Sequence, residues 1–264
     1  MTDKVPVLSI VFMGISCLAG FAMPIGLFFY FRKRKKADIL PFFVGCAVMF
    51  LFALVLESYA HRLILSSSIG IQIIKNTILY AIYGGLMAGI FEETGRLIAF
   101  KTVLKKYQNK DIDALMYGAG HGGFEAVFLL GLTMINNIVY AVMINNGTIS
   151  SITSSLSGDS LTQMNLIIET MLTTSPYTFL AGIFERIFAA TLQMVLSVIV
   201  WFSAKNTKQW YLYPAAIMIH AVVDGVAVIM SAYNVPVFMI EAAICVMAIL
   251  AVLFARKVWN QYSG

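Results

Sequence analysis

The sequence FEETGRLIAF, residues 91–100, places two adjacent glutamates and one arginine inside an otherwise apolar run. Ionisable side chains at membrane depth cost roughly 2.5–3.5 kcal/mol each on insertion scales, so they indicate a function or a buried partner. Arg96 follows Glu93 by three residues and Glu92 by four, and on a helix it can reach either carboxylate. Adjacent helical residues point about 100° apart, so one arginine does not hold both glutamates equally. We therefore expect one glutamate to remain available for chemistry; the alternative is a buried ion pair that only orients helices.

The composition is typical of a membrane protein. Of the 264 residues, 60% are hydrophobic and 12% are charged, whereas about 25% of the residues in a soluble domain are charged. We predict an all-α, multi-pass transmembrane bundle that forms a single domain over residues 1–264. The net charge of +5 comes from short basic loops, so it does not indicate a nucleic-acid partner, and the sequence sets no oligomeric state. Cys17, Cys46 and Cys245 lack metal-site spacing, and we interpret them as core residues.

Seven apolar runs are long enough to cross the lipid bilayer, which takes about 20 residues. Basic side chains alternate between the connections: thirteen fall on one side, and three (Lys4, Arg62 and Lys75) fall on the other. Because cytoplasmic loops are enriched in Lys and Arg, we predict an external N-terminus and a cytoplasmic C-terminus. The runs cover approximately residues 5–31, 39–63, 77–100, 112–143, 176–203, 211–231 and 235–255.

A long connection at about 144–175 contains no Lys or Arg and is predicted to lie outside the cell. Apolar residues recur in it at helical spacing after Asp159 and Ser160, which could cap a helix. We expect a short helix in the membrane interface. The apolar residues of this helix are Leu161, Met164, Ile168, Met171 and Leu172.

Two further motifs pair a histidine with a carboxylate four residues later: His121 with Glu125, and His220 with Asp224. This spacing places both side chains of a pair on one helix face. Imidazole nitrogens and carboxylate oxygens are ordinary zinc ligands, so each pair could reach one metal ion. One such pair is a weak signal, whereas two pairs in two spans with a glutamate pair in a third are much stronger.

The three polar motifs are predicted to share one depth. Glu92 lies nine residues before Lys101, His220 lies nine after Tyr211, and His121 is equally far from the start of its span. At 1.5 Å per helical residue, all three lie about 13 Å from the cytoplasmic surface. Convergence of rare polar groups at one level favours a shared site.

Glycines are frequent in the same runs. Gly85 and Gly89 are expected to let two membrane helices approach closely. The glycines within residues 118–123 flank His121 and are expected to leave room around a site.

The other membrane charges, Glu57, Glu185, Arg186 and Glu241, are expected in the outer half of the bilayer as an ion-pair layer. Glu185 and Arg186 are adjacent, so we expect each of them to have a partner elsewhere.

The three motifs together carry a resemblance. EETGR at 92–96, HGGFE at 121–125 and HAVVD at 220–224 resemble the EExx(K/R), HxxxE and HxxxD order of the PrsW-like and CAAX-prenyl-endopeptidase superfamily of intramembrane proteases. FERIFAA at 184–190, with GAGHGGFE, is similar to the bacterial YhfC branch. The resemblance covers roughly residues 77–231. The CAAX enzymes have one more residue between the glutamate pair and the basic residue, so a prenylated substrate is not implied.

The resemblance implies an intramembrane peptidase in a bacterial cell membrane, acting on a membrane-embedded or membrane-anchored peptide. The first glutamate of the pair, Glu92, would activate water. We take Glu92, Glu93, Arg96 and His121 as the candidate catalytic residues.

Two mechanisms remain open. In one, zinc is held by ligands drawn from His121, Glu125, His220 and Asp224, one of which lies outside the coordination shell, and a separate glutamate is the base. In the other, Glu92 and His121 activate water without a metal, while His220 and Asp224 stabilise the oxyanion. The four donor side chains at one level favour the zinc form.

Two other functions fit membrane-embedded Glu, His and Asp residues. A proton- or ion-coupled transporter uses such groups, but the sequence shows no repeated half of the kind that many carriers have. A catalytically silent scaffold or chaperone of the same fold is the second alternative.

Overall fold

The computed structural model describes residues 4–263, and every regular element in that part of the chain is helical. Three π-helical segments continue or join α-helices: Tyr30–Arg34, Met49–Glu57 and Val127–Leu132. The α-helices are α1 (Val7–Phe29), α2 (Leu40–Val48), α3 (Ser58–Leu65), α4 (Ser68–Lys75), α5 (Thr77–Lys101), α6 (Ile112–Ala126), α7 (Thr133–Asn145), α8 (Ser150–Thr153), α9 (Gly158–Thr173), α10 (Thr178–Lys205), α11 (Leu212–Ala232) and α12 (Val237–Tyr262).

Within residues 4–263, six continuous helical segments are long and apolar enough to cross a membrane, and the pair α4–α5, bent by 114°, can supply a seventh. The prediction of a transmembrane helical bundle with about seven spans is therefore confirmed. The external N-terminus stays a prediction. The six segments are Val7–Arg34, Leu40–Leu65, Ile112–Asn145, Thr178–Lys205, Thr207–Ala232 and Val237–Tyr262.

The sharp corner between α4 and α5 is set by a side-chain cap. Asn76 lies in an extended conformation, and its Oδ1 accepts hydrogen bonds from the backbone N–H groups of Ile78 and Leu79. These bonds satisfy two of the N–H groups that an α-helix leaves unpaired at its start. The cap therefore starts α5, the helix that carries the glutamate pair, at Thr77.

Close helix contacts fix the position of α5 and α6. A Cβ atom on Gly85 of α5 would lie 2.3 Å from the carbonyl oxygen of Ala221 on α11, and one on Gly120 of α6 would lie 1.9 Å from that of Phe42 on α2. The prediction for Gly85 is confirmed. The expectation that the glycines around His121 leave room for a site is wrong, because they bring α6 against its neighbouring helices.

An aromatic layer packs beside the polar motifs. Phe100 of α5 stacks edge-on against Tyr117 of α6 and Trp201 of α10, with ring centroids 4.7 and 5.0 Å apart. All three side chains are fully buried. Phe100 lies one turn after Arg96 and Tyr117 one turn before His121, so this layer fixes the two helices next to the site.

The predicted helix in the long connection is present as α9. Met171 is buried, and Ile168 and Leu172 pack against the same apolar cluster beside α1 and α7. The expected cap is wrong, because the helix begins earlier, with Ser157 at the N-cap position and no side-chain cap hydrogen bond.

Candidate active site

Arg96 of α5 is fully buried and is held from two sides. Its Nη1 donates a hydrogen bond to Glu93 Oε2, and its Nη2 donates to Gln193 Oε1 on α10. Neither Arg96 nor Glu93 has exposed surface. Because bulk water reaches neither charge, each depends on the other for stabilisation. The predicted pairing of Arg96 with Glu93 is confirmed.

Glu93 also holds His220 of α11. Its Oε1 lies 2.8 Å from His220 Nδ1, so one carboxylate oxygen contacts the arginine and the other contacts the imidazole. The contact orients the opposite ring nitrogen toward the remaining carboxylates. His220 Nε2 lies 3.4 Å from Asp224 Oδ2 and 3.9 Å from Glu92 Oε2. Glu93 is thus a positioning group with both oxygens in use.

Glu92 has a different environment. Its Oε2 lies 2.9 Å from His121 Nε2 and accepts a hydrogen bond of 2.9 Å from Gln193 Nε2. All the side-chain hydrogen bonds that Glu92 makes within residues 4–263 go to this oxygen. His121 is fully buried, and its Nδ1 has no hydrogen-bond partner in the same part of the chain. Glu92, His121 and His220, predicted at one depth, therefore do converge.

Gln193 connects the parts of the site and was not found from the sequence. Its amide oxygen accepts from Arg96, and its Nε2 lies within hydrogen-bond distance of Glu92 Oε2 and, at 3.2 Å, of Glu125 Oε2. It is the only amide in the apolar run 187–202. That isolation was the available signal, because an amide buried in an apolar helix needs polar partners on other helices.

Glu125 does not contact His121 but forms an ion pair with Arg186 of α10. Arg186 Nη1 donates to Glu125 Oε1 at 2.6 Å, and its Nη2 donates to Glu185. The expectation that Arg186 has a partner away from Glu185 is confirmed by Glu125. The same expectation for Glu185 is wrong, because the long, flexible arginine side chain carries several N–H donors and reaches both carboxylates. The expected separate ion-pair layer is also wrong, because Arg186 joins the site through Glu125.

Within residues 4–263, neither Glu57 nor Glu241 forms an ion pair with Arg186. Glu57 Oε1 lies 3.1 Å from Nε2 of His61 on the next helical turn, and Nδ1 of His61 lies 2.8 Å from the Tyr83 hydroxyl. Glu241 is buried, and its Oε2 has no hydrogen-bond partner within residues 4–263. His61, rather than Glu57 itself, makes the contact with α5, so the predicted ion-pair layer that joins Glu57 to Arg186 and Glu241 is not found within residues 4–263.

A cavity of about 120 Å³ adjoins these groups. One wall is polar and the other is apolar, with room for several water molecules. Its lining residues are Glu92, Glu125, Glu185, Arg186, Gln193, His220 and Asp224 on the polar side, and Ala189, Leu192, Val223, Ala227 and Ile244 on the apolar side.

The sequence matches one family over most of its length: the model described as YhfC intramembrane metalloprotease covers residues 19–253. The chain belongs to this family. It is also 35% identical over 257 residues to the "Uncharacterized membrane protein YhfC" of Bacillus subtilis (strain 168), with 95% of this chain and 94% of that protein covered. No solved structure matches. The resemblance to the YhfC branch is confirmed, and the match extends well beyond residues 77–231.

The family description contains the word metalloprotease, which implies a metal ion, and the expected zinc ligands are of the right chemical type. Glu93 also fixes the ring of His220 through Nδ1, as carboxylates do for many metal-binding histidines. The positions do not fit a coordination shell. Within residues 4–263, no group of three or more His, Cys, Asp or Glu side chains is placed to hold a metal ion. Glu125 is instead paired with Arg186, so the four expected ligands do not surround one point in this arrangement.

Proposed function

We propose that this YhfC-family protein is an intramembrane endopeptidase that hydrolyses a peptide bond of a membrane-associated substrate, with Glu92 as the general base. The observation that carries the proposal is the contrast within the glutamate pair. Glu92 lines the cavity and contacts His121, whereas both oxygens of Glu93 are occupied. A general base must lie within hydrogen-bond reach of the water that it activates, and the cavity offers room for water next to Glu92.

The reaction begins with a water molecule in the cavity. Glu92 removes a proton from this water, and the oxygen of the water attacks the carbonyl carbon of the scissile peptide bond. The protonated Glu92 then gives the proton to the departing amine, so the carboxylate is regenerated. The contacts with His121 and Gln193 orient the carboxylate. Positioning of this kind lowers the barrier, because the reacting groups are already held in a reactive geometry.

His220 is the group that we propose for the developing oxyanion. Its Nδ1 faces Glu93, so its Nε2 points toward Glu92 and Asp224. If the ring is an imidazolium, Nε2–H donates to the oxyanion and Asp224 balances the charge. If the ring is neutral with its proton on Nδ1, Nε2 carries a lone pair and can bind a metal.

Metal analysis of the purified protein separates these two forms. Zinc at one ion per chain, lost from both His121→Ala and His220→Ala but kept in Glu92→Gln, would assign the two imidazoles as ligands. Cleavage by metal-free protein would assign water activation to Glu92 and His121 alone.

The test of activity is a comparison of new N-termini across all membrane proteins, since it requires no prior choice of substrate. Membranes from cells that produce the wild-type protein are compared with membranes from cells that produce equal amounts of Glu92→Gln. We expect a set of membrane-protein fragments that occurs only with the wild type. Identical sets of N-termini would contradict the proposal and favour a silent scaffold, and proton flux in proteoliposomes without cleavage would favour a transporter.

We also propose the bacterial plasma membrane as its location, on the strength of the bacterial membrane protein that it resembles. Fractionation of bacterial cells producing the protein would test this assignment.

A further inference from the structure

An apolar groove of about 410 Å³ runs along the outside of the bundle between α11 and α12. Its rim faces outward: Met218, Val222 and Leu250 are all more than half exposed. Every residue that lines the groove is apolar: Met218, Ile219, Val222, Val223, Met247, Leu250, Ala251 and Phe254.

This groove and the polar cavity share a wall. Val223 lines both of them and is 6% exposed, and it is followed directly by Asp224. On α12, Ile244 lines the cavity, whereas Met247, one turn later, lines the groove. A single layer of side chains therefore separates an apolar surface at the membrane from the carboxylates of the site.

The size of the cavity limits what it can hold. A helix with its side chains is about 10–12 Å across, and a cavity of about 120 Å³ has room for little more than one side chain or a few waters. A membrane-spanning substrate must therefore lie outside the cavity and bring only its scissile residues inside. The α11–α12 groove is wholly apolar and shares Val223 with the cavity, so it offers those residues a path through one layer of side chains.

We propose that the α11–α12 groove binds the apolar membrane segment of the substrate, and that displacement of the Val223 layer admits the scissile peptide to Glu92. The proposal rests on the proposed peptidase function and adds the surface that binds the membrane segment of the substrate, along α11 and α12.

Two other surface grooves can be compared with the α11–α12 groove as binding surfaces for the substrate. An apolar groove of about 320 Å³ beside α1, α2 and α6 includes Ile25 and shares no lining residue with the cavity. A third groove, near the α4–α5 corner, shares Ala227 with the cavity but also exposes Thr77, Tyr80 and Ser231. Those polar groups suit a hydrocarbon surface less well than the wholly apolar α11–α12 groove does.

The test uses a photo-crosslinking amino acid placed singly at Leu250, at Ile25 or at Tyr80 in the Glu92→Gln protein. Leu250 and Ile25 form a matched pair, because they are 60% and 57% exposed. The probe is a biotin-labelled leucine-rich peptide long enough to span the bilayer, reconstituted with the protein in phosphatidylcholine–phosphatidylglycerol vesicles. We expect a several-fold higher yield of crosslinked peptide from Leu250 than from the other two positions. Equal yields, or a maximum at Ile25 or Tyr80, would overturn the proposal.

A second measurement blocks the groove in the active protein. Leu250→Trp is expected to reduce the membrane-protein fragments made in cells several-fold, whereas Ile25→Trp is expected to leave them unchanged. Equal effects of the two variants would contradict the proposal. The crosslinking needs no cleavage, so a preferred site at Leu250 together with a proteolytically silent wild type would refute the peptidase function while keeping the binding surface.

Discussion

Glu92 and Glu93 are identical residues at adjacent positions, and the structure places them in two different regions of the bundle. Glu93 faces a closed region in which Arg96 and His220 occupy its two oxygens. Glu92 faces the region of the cavity, and its contacts with His121 and Gln193 all involve one oxygen. The difference shows that the surroundings, rather than the residue type, separate a structural carboxylate from a candidate catalytic one.

The comparison also explains why the two charges can be buried together. A buried carboxylate is tolerated when charged or polar groups replace the water that it has lost. Arg96 supplies a full positive charge to Glu93, and its second N–H group contacts Gln193. Gln193 in turn donates to Glu92. The closed region is thus linked through one amide to the region where we propose that the chemistry occurs.

The largest expected effect is the loss of cleavage in Glu92→Gln. The amide keeps the shape of the side chain but cannot accept the proton of water, and general base catalysis contributes about 10²–10⁴-fold in rate. We expect a loss of at least this size at unchanged expression, measured as fragments formed per unit of protein in proteoliposomes.

The matched variant is Glu93→Gln, which is expected to lower stability more than Glu92→Gln does, because it leaves Arg96 without its counter-charge. If Glu93→Gln is well folded and inactive while Glu92→Gln cleaves at the wild-type rate, the two roles are exchanged. If neither change affects cleavage, the peptidase proposal fails.

The second expected effect is the loss of stability in Arg96→Met. Removing one partner of a buried pair typically costs about 3–5 kcal/mol. Methionine keeps much of the volume, so the change isolates the charge. We expect a lower midpoint in thermal unfolding in detergent, followed by loss of activity. Unchanged unfolding with a selective loss of cleavage would instead make Arg96 a substrate-binding residue.

Sequence reasoning found the parts of the fold and site that depend on local pattern. The apolar runs predicted the membrane helices because a span must be apolar over its full length. The spacing of Arg96 and Glu93 allowed their pairing, and the shared distance of Glu92, His121 and His220 from the ends of their spans predicted their convergence. These features follow from helix geometry alone.

The features that were missed depend on how helices face one another. Glu185 was expected to have a partner other than Arg186, but Arg186 contacts both Glu185 and Glu125. Gly120 was expected to leave space for a site, but the backbone of α2 packs directly against it. Such contacts depend on how neighbouring helices are rotated and how far apart they lie. The spacing of residues along the sequence carries no information about either quantity.

Gln193→Met gives a smaller effect that sharpens the comparison. The change removes the amide between the two glutamate regions at nearly constant volume. An unsatisfied buried polar group costs about 1–3 kcal/mol, and Glu92 also loses an orienting contact. We expect a moderate drop in both the unfolding midpoint and the cleavage rate, measured on one preparation. Gln193→Glu is expected to lower both quantities further, because it adds a negative charge beside Glu92 and Glu125. If Gln193→Met equals wild type in both assays, the amide does not connect the two regions.

The smallest expected effect comes from an ion pair at the surface, Lys110 with Asp38, whose Nζ–Oδ1 distance is 2.9 Å. Its side chains are 45% and 29% exposed, in contrast to the fully buried pair of Arg96 and Glu93.

The hydrogen bond to Asp38 raises the pKa of Lys110 above its ordinary value of 10.5. A raised folded-state pKa gives stability that is complete below the unfolded pKa and is lost as the pH rises through the folded one, so the contribution of Lys110 is complete up to about pH 9 and is lost only at higher pH. Water and salt screen such a pair, and Lys110→Met is therefore expected to leave the unfolding midpoint and cleavage unchanged. A loss as large as that of Arg96→Met would mean that burial is not what separates the two pairs.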